Sequence, residues 1–206
     1  MRRTFISDFG GVLTSPLSEG FLAYQEESNV SLEELGRAMA RATETHGEHP
    51  LFALERGEIS ERAFAERLER ELPDGFSLRR LREVYFERLV PNERMIAFAR
   101  ALRERGLRTA LLTNNVREWE PLWRAKLPEI DEIFEVVVDS AFVGMRKPDP
   151  RIYELTLERL GSSADECVFL DDLEVNCDAA RELGMIAVRF EDTDRAIEAV
   201  EAAVGG

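Results

Sequence analysis

The stretch Phe5-Ile6-Ser7-Asp8-Phe9-Gly10-Gly11-Val12-Leu13-Thr14 is an apolar run that stops abruptly on one carboxylate and two glycines. A buried strand ending at Asp8 would set that carboxylate at the C-terminal rim of a sheet, where open α/β folds keep their chemistry. A turn residue ahead of a flexible Gly-Gly fits the same letters. Three later stretches favour the strand. Arg108 to Leu112 stops at Thr113-Asn114-Asn115, Ile133 to Val138 leads to the loop Val143 to Pro150, and Cys167 to Leu170 stops on Asp171-Asp172.

Helical patterns separate these runs. One from Asn92 to Arg105 ends at Gly106, and one contains Trp123. A third is capped by Asp149, has Pro150 at its first position and closes at Gly161; a fourth runs to Leu183, before a last short strand at Ile186 to Val188. Strands alternating with helices predict an α/β protein with a Rossmann-like, doubly wound parallel sheet. Pro16 to Val90 shows only the helical period. Ser31-Leu-Glu-Glu34 is a capping-box pattern, Ser60 can cap a helix bearing Phe64, Leu68 and Leu72, and Ser77 can cap one bearing Leu81, Val84, Tyr85 and Leu89. The expectation is a core made of residues 1–15 and 91–206, with residues 16–90 inserted as a helical subdomain. Phe64, Tyr85 and Trp123 read as packing residues, and His46 and His49 as solvated.

The net charge of −14 repels polyanions, so neither nucleic acid nor an acidic membrane is an expected partner. No segment approaches the ~20 consecutive apolar residues of a membrane span. The apolar run after Met1-Arg2-Arg3 is cut short at Asp8, too early for an export signal, so a cytoplasmic location is expected. Two cysteines, Cys167 and Cys177, are too few for a disulfide framework and read as core thiols. Lysine occurs only at Lys126 and Lys147, which draws attention to Lys147 in its Arg-Lys-Pro setting.

In a parallel sheet the residues just past each strand become neighbours, so Asp8, Thr113, Asn114, Lys147, Asp171 and Asp172 would converge. Three carboxylates in a small site raise one another's pKa unless positive charge compensates them. A divalent ion together with the Lys147 ammonium would do so, and an all-oxygen ligand set suits Mg²⁺.

The ordered set Asp8-x-Gly-Gly-Val, Leu112-Thr113-Asn114, Lys147-Pro148 and Phe169-Leu-Asp171-Asp172 resembles the four motifs of the haloacid dehalogenase superfamily of phosphohydrolases. The resemblance covers essentially the whole chain, with Pro16 to Val90 matching that superfamily's helical cap. Val143 to Tyr153, Phe169 to Asp172 with Asn176, and Ala180 to Met185 look like the phosphatase domain of soluble epoxide hydrolases and, equally, bacterial α-D-glucose-1-phosphate phosphatases. The resemblance implies that Asp8 attacks phosphorus and becomes an aspartyl-phosphate. It implies that the Thr113 hydroxyl and the Asn114 amide hold phosphate oxygens, and that Lys147 neutralises nucleophile and phosphate. Asp8, Asp172 and the Gly10 carbonyl would bind Mg²⁺, Asp171 would act from behind them, and Asn176 would brace the loop. The expected partner is a small phosphorylated molecule; the oligomeric state stays open.

In most phosphatases of this superfamily the residue two after the nucleophile is a second Asp that protonates the leaving group; here it is Gly10. General acid–base catalysis is worth ~10²–10⁴-fold, so the loss should show. The favoured reading is hydrolysis of sugar, aryl or acyl phosphates whose leaving group departs without proton help. A dehalogenase-type hydrolase and a non-catalytic binding or regulatory protein are the alternatives, and a cap carboxylate such as Glu55 or Glu58 is a candidate for the missing base.

Overall fold

The computed structural model describes residues 3–28, 30–73, 76–78 and 80–205; the Met1-Arg2 pair considered above as part of an export signal lies outside them. The core strands are β1 (Thr4–Ser7), β2 (Arg108–Thr113), β3 (Val136–Asp139), β4 (Cys167–Asp171) and β5 (Ile186–Arg189). All neighbours run parallel, in the spatial order β3-β2-β1-β4-β5. The chain first winds outward from β1 through β2 to β3, then returns to the other side of β1 with β4. Winding therefore reverses beside β1, and the crevice beyond the C-terminal ends of β1 and β4 is where such sheets bind ligands.

Five helices intervene between β1 and the rest of the core: α1 (Leu17–Ser28), α2 (Leu32–His46), α3 (Pro50–Glu55), α4 (Glu61–Glu69) and α5 (Leu81–Arg88). After them come α6 (Glu93–Glu104), α7 (Glu120–Lys126), α8 (Ile130–Ile133), α9 (Ser140–Val143), α10 (Pro150–Leu160), α11 (Glu174–Glu182) and α12 (Thr193–Gly205). The sheet alternates its side chains between two faces. Phe5, Leu111, Val168 and Leu170 join a cluster with Phe98 and Leu102 of α6 and Val200 of α12. Ile6, Ala110, Leu112 and Phe169 join another with Ile152 and Tyr153 of α10 and Ala180 of α11. The larger cluster continues into the inserted helices through Leu54, Phe64, Leu68 and Val84.

Local signals account for most boundaries. Ser31 forms the full capping box with Glu34, Ser60 accepts from the Ala63 N–H, and Asp149 accepts from Arg151 ahead of Pro150. Where the insertion leaves and rejoins the core, Thr14 bridges Pro91, and Ser15 N–H and Asn92 N–H donate to the Val90 and Leu13 carbonyls. Both cysteines are buried and free.

Two boundaries differ from expectation. Ile133 closes the short α8 and the strand begins at Val136, because a continuous apolar run reads the same in a buried helical turn and a buried strand. Ser77 does not cap α5. Its hydroxyl donates to Glu69, and the helix starts at Leu81.

Candidate active site

Parallel pairing sets the ends of β1, β2 and β4 side by side. Asp8 continues the ladder past β1, its N–H donating to the Leu170 carbonyl at 2.8 Å. Asp171 ends β4, Thr113 ends β2, and Lys147 enters from the loop after α9. The Lys147 ammonium is 1% exposed and lies 2.8 Å from Asp8 Oδ1 and 2.6 Å from Asp171 Oδ2. Asp171 is fully occupied, since its Oδ1 accepts from the Leu173 N–H and the Asn176 side chain at 2.9 Å each. Asn176 thus steers Asp171, which steers Lys147.

Asn114 is tied to the main chain of Lys147. Its carboxamide accepts from the Lys147 N–H at 2.8 Å and donates to the Lys147 carbonyl at 3.0 Å. These two bonds fix the main chain of Lys147 and leave the second N–H of the carboxamide uncommitted at the cavity that Asn114 lines. Thr113, buried at the strand end, lines the cavity with Asp8, Gly10 and Asp172.

The charges are unbalanced. Asp8, Asp171 and Asp172 each place a carboxylate oxygen within 4.8 Å of the others. One ammonium faces these three groups. Burial first of all, offset by Lys147 and reinforced by Asp171 and Asp172, pushes Asp8 up to about 7. Burial and Asp171 raise Asp172 as well. Burial alone would lower Lys147, but Asp171 and Asp8 outweigh it and hold it above its ordinary value. Surplus negative charge on hard oxygen donors is what a small divalent cation relieves, so the donor set fits Mg²⁺. Gly11 permits this closeness: with φ +78, it sits where a Cβ would fall 2.5 Å from Asp172 Oδ2.

The cavity holds about 400 Å³. Its floor is the charged cluster, and its walls come from the inserted helices through Leu51, Leu54, Phe64, Leu81 and Tyr85, and from Trp119 after β2. Some polar wall groups are engaged with neighbours. Arg146 donates from Nε to Glu55 at 2.5 Å and stacks over Phe52, and Asn115 Oδ1 accepts from the Val116 N–H. Of the histidines, His46 is exposed at the end of α2, while half-buried His49 stacks on Phe52 and is lowered by burial and Arg146. Tyr85 and Phe64, read from periodicity as packing, line the cavity as well as the core. Only their aromatic character hinted at this, because helical spacing does not say which buried face meets a ligand.

Comparison with known proteins places this geometry. The family model for haloacid dehalogenase-like hydrolases matches residues 2–184. A bifunctional epoxide hydrolase 2 of Sus scrofa is 35% identical over 137 residues, 65% of this chain and 25% of that protein, so the chain matches only a quarter of its length. A sesquiterpene phosphatase of Aspergillus oryzae is 32% identical over 112 residues, 51% of this chain and 53% of that one. In structure, an enzyme of the same family from Bacteroides thetaiotaomicron, in complex with magnesium and inorganic phosphate, superposes with a TM-score of 0.70 at 24% identity, covering 95% of this chain and 98% of that one. The motif order, the parallel sheet and the family match agree, and the chain belongs to the haloacid dehalogenase-like hydrolases.

Proposed function

We propose that the protein is a Mg²⁺-dependent phosphohydrolase that cleaves phosphate monoesters with Asp8 as nucleophile. The observation that carries this reading is the buried Lys147 ammonium, shared between Asp8 and Asp171 on the floor of the cavity. Lys147 keeps Asp8 oriented and offsets charge as the phosphoryl group approaches. An Asp8 oxygen bonds to phosphorus while the bond to the leaving oxygen breaks, giving an aspartyl-phosphate that water then cleaves. The Thr113 hydroxyl holds a phosphate oxygen. Asp8, Asp172 and the Gly10 carbonyl are the groups that would hold Mg²⁺, which supplies charge neutralisation when bound. Residues 16–90 act as a cap that closes the cavity and carries its walls.

The walls narrow the substrate class. A sugar would set most of its hydroxyls against leucine and aromatic side chains, with few polar partners: Arg146 gives its Nε–H to Glu55 and keeps its other N–H groups, and Asn176 gives one N–H to Asp171. Unsatisfied polar groups are costly to bury. An aryl or similarly apolar organic group therefore fits better than a sugar, and the similarity to a sesquiterpene phosphatase supports that choice. The test is phosphate release from aryl, acyl, prenyl and sugar phosphates with and without Mg²⁺. Metal-dependent release, absent in Asp8→Asn and strongest for apolar esters, is the expected result; release that persists in Asp8→Asn overturns the reading.

A further inference from the structure

Tyr85 is a buried side chain of α5 that lines the cavity, yet its hydroxyl makes no hydrogen bond to any described residue. Its ring is held from several sides. Trp119 stacks on it at 5.3 Å and 28°, Phe86 meets it edge-on at 5.0 Å, and Gly20 of α1 lies so close that a Cβ there would fall 2.2 Å from the ring. Burial, and after it the charge of Asp8, push the phenol above its ordinary range, so it stays protonated and able to donate. The hydroxyl is open to the cavity, where a ligand can take the place of water as its partner, and it is within electrostatic reach of the nucleophile.

The geometry points to Tyr85 as the donor that hydrogen-bonds the bridging oxygen of the substrate, supplying from the inserted helices the leaving-group contact that Gly10 cannot make. This rests on the phosphohydrolase reading and deepens it. As the Asp8–phosphorus bond forms and the phosphorus–oxygen bond breaks, electron density collects on the departing oxygen. The Tyr85 O–H meets that density without giving up its proton, which favours leaving groups stable as anions. A preorganised donor of this kind acts on charge that develops in the transition state.

The test compares two ligands that differ at one atom, phenyl phosphate and benzylphosphonate, in which a CH₂ replaces the bridging oxygen. Both are titrated calorimetrically with Mg²⁺ into Asp8→Asn and into Asp8→Asn/Tyr85→Phe, where phenylalanine keeps the stacked ring. The expected result is about 10-fold weaker binding of the ester in the double variant, with the phosphonate unchanged. In the enzyme with Asp8 intact, Tyr85→Phe should lose on the order of 10–100-fold in kcat/KM for poor leaving groups and much less for good ones. Equal effects on both ligands, or none, assign Tyr85 to packing and overturn the proposal. A wild-type protein that releases no phosphate from any aryl, acyl, prenyl or sugar ester in the presence of Mg²⁺ overturns the phosphohydrolase reading itself, and the role of Tyr85 with it.

Discussion

A Cβ at Gly10 would meet nothing within 4 Å, whereas one at the neighbouring Gly11 would collide with Asp172. Gly11 is thus required by space and by its positive φ, while Gly10 is required by neither. Its lack of a carboxylate is a chemical feature of the site and not a steric necessity. Gly10→Asp should therefore fold, and should raise kcat/KM for alkyl phosphates by roughly 10-fold or more while leaving activated aryl phosphates nearly unchanged. A uniform change across a leaving-group series would show that no proton donor had been gained. At Asp139 the prediction concerns stability. Burial first of all, reinforced by Glu120 and offset by the Ala141 N–H it accepts from and by the neighbouring Trp123 and Arg117 side chains, pushes this carboxyl up to about 6. A raised folded pKa means that the native state holds the proton longer than the unfolded chain. Stability from this group is present at low pH and is lost as pH rises from about 4 towards 6. Each pKa unit corresponds to about 1.4 kcal/mol, so Asp139→Asn should flatten that slope and stabilise the protein by roughly 1–3 kcal/mol at pH 7.5 relative to pH 4. Urea denaturation of both proteins at the two pH values checks it; a parallel pH dependence would refute it.

Among the elements, the packing of α1 on α5 sets two magnitudes against each other. In an exposed helix, replacing glycine by alanine gains about 1 kcal/mol. At Gly20 the added methyl would strike the Tyr85 ring, and overpacking a filled interface costs about 1–3 kcal/mol. The clash should win. Gly20→Ala is expected to lower the melting temperature, and to weaken phenyl phosphate binding in the Asp8→Asn background by moving the hydroxyl. Higher stability with unchanged binding would mean that the helices part freely. This is also the scale at which the limits of the sequence show. The strands carrying Asp8, Thr113 and Asp171 were legible because each apolar run breaks at a polar residue, and the caps at Ser31, Ser60 and Asp149 because each is a local side-chain-to-backbone contact. The start of β3 was not, since Ile133 to Val138 carries no period that separates helix from strand. The carboxamide of Asn114 on the Lys147 main chain and the Tyr85–Trp119 stack join residues about 33 positions apart. Contacts of that kind depend on how elements dock, which spacing along the chain does not encode.

For the whole molecule, the balance of charge decides how a cation acts. The chain carries −14, so any salt that screens self-repulsion stabilises it to some degree. The carboxylates of Asp8 and Asp172, both raised by burial, add a local demand that screening at a Debye length of about 10 Å does not meet. A bound divalent ion stabilises the native state by about 2.7 kcal/mol at 100-fold excess over its Kd. In a chain of this size that corresponds to a rise of roughly 5–10 °C in Tm. Mg²⁺ should therefore raise the Tm of the wild type by that amount over NaCl of equal ionic strength, and EDTA should reverse it. Asp172→Asn should keep the response to NaCl and lose the additional response to Mg²⁺, because it removes a proposed ligand and barely changes the net charge. If the variant and the wild type gain equally from Mg²⁺, the ion is acting on the charge of the surface and the cluster beside Asp8 is not its site.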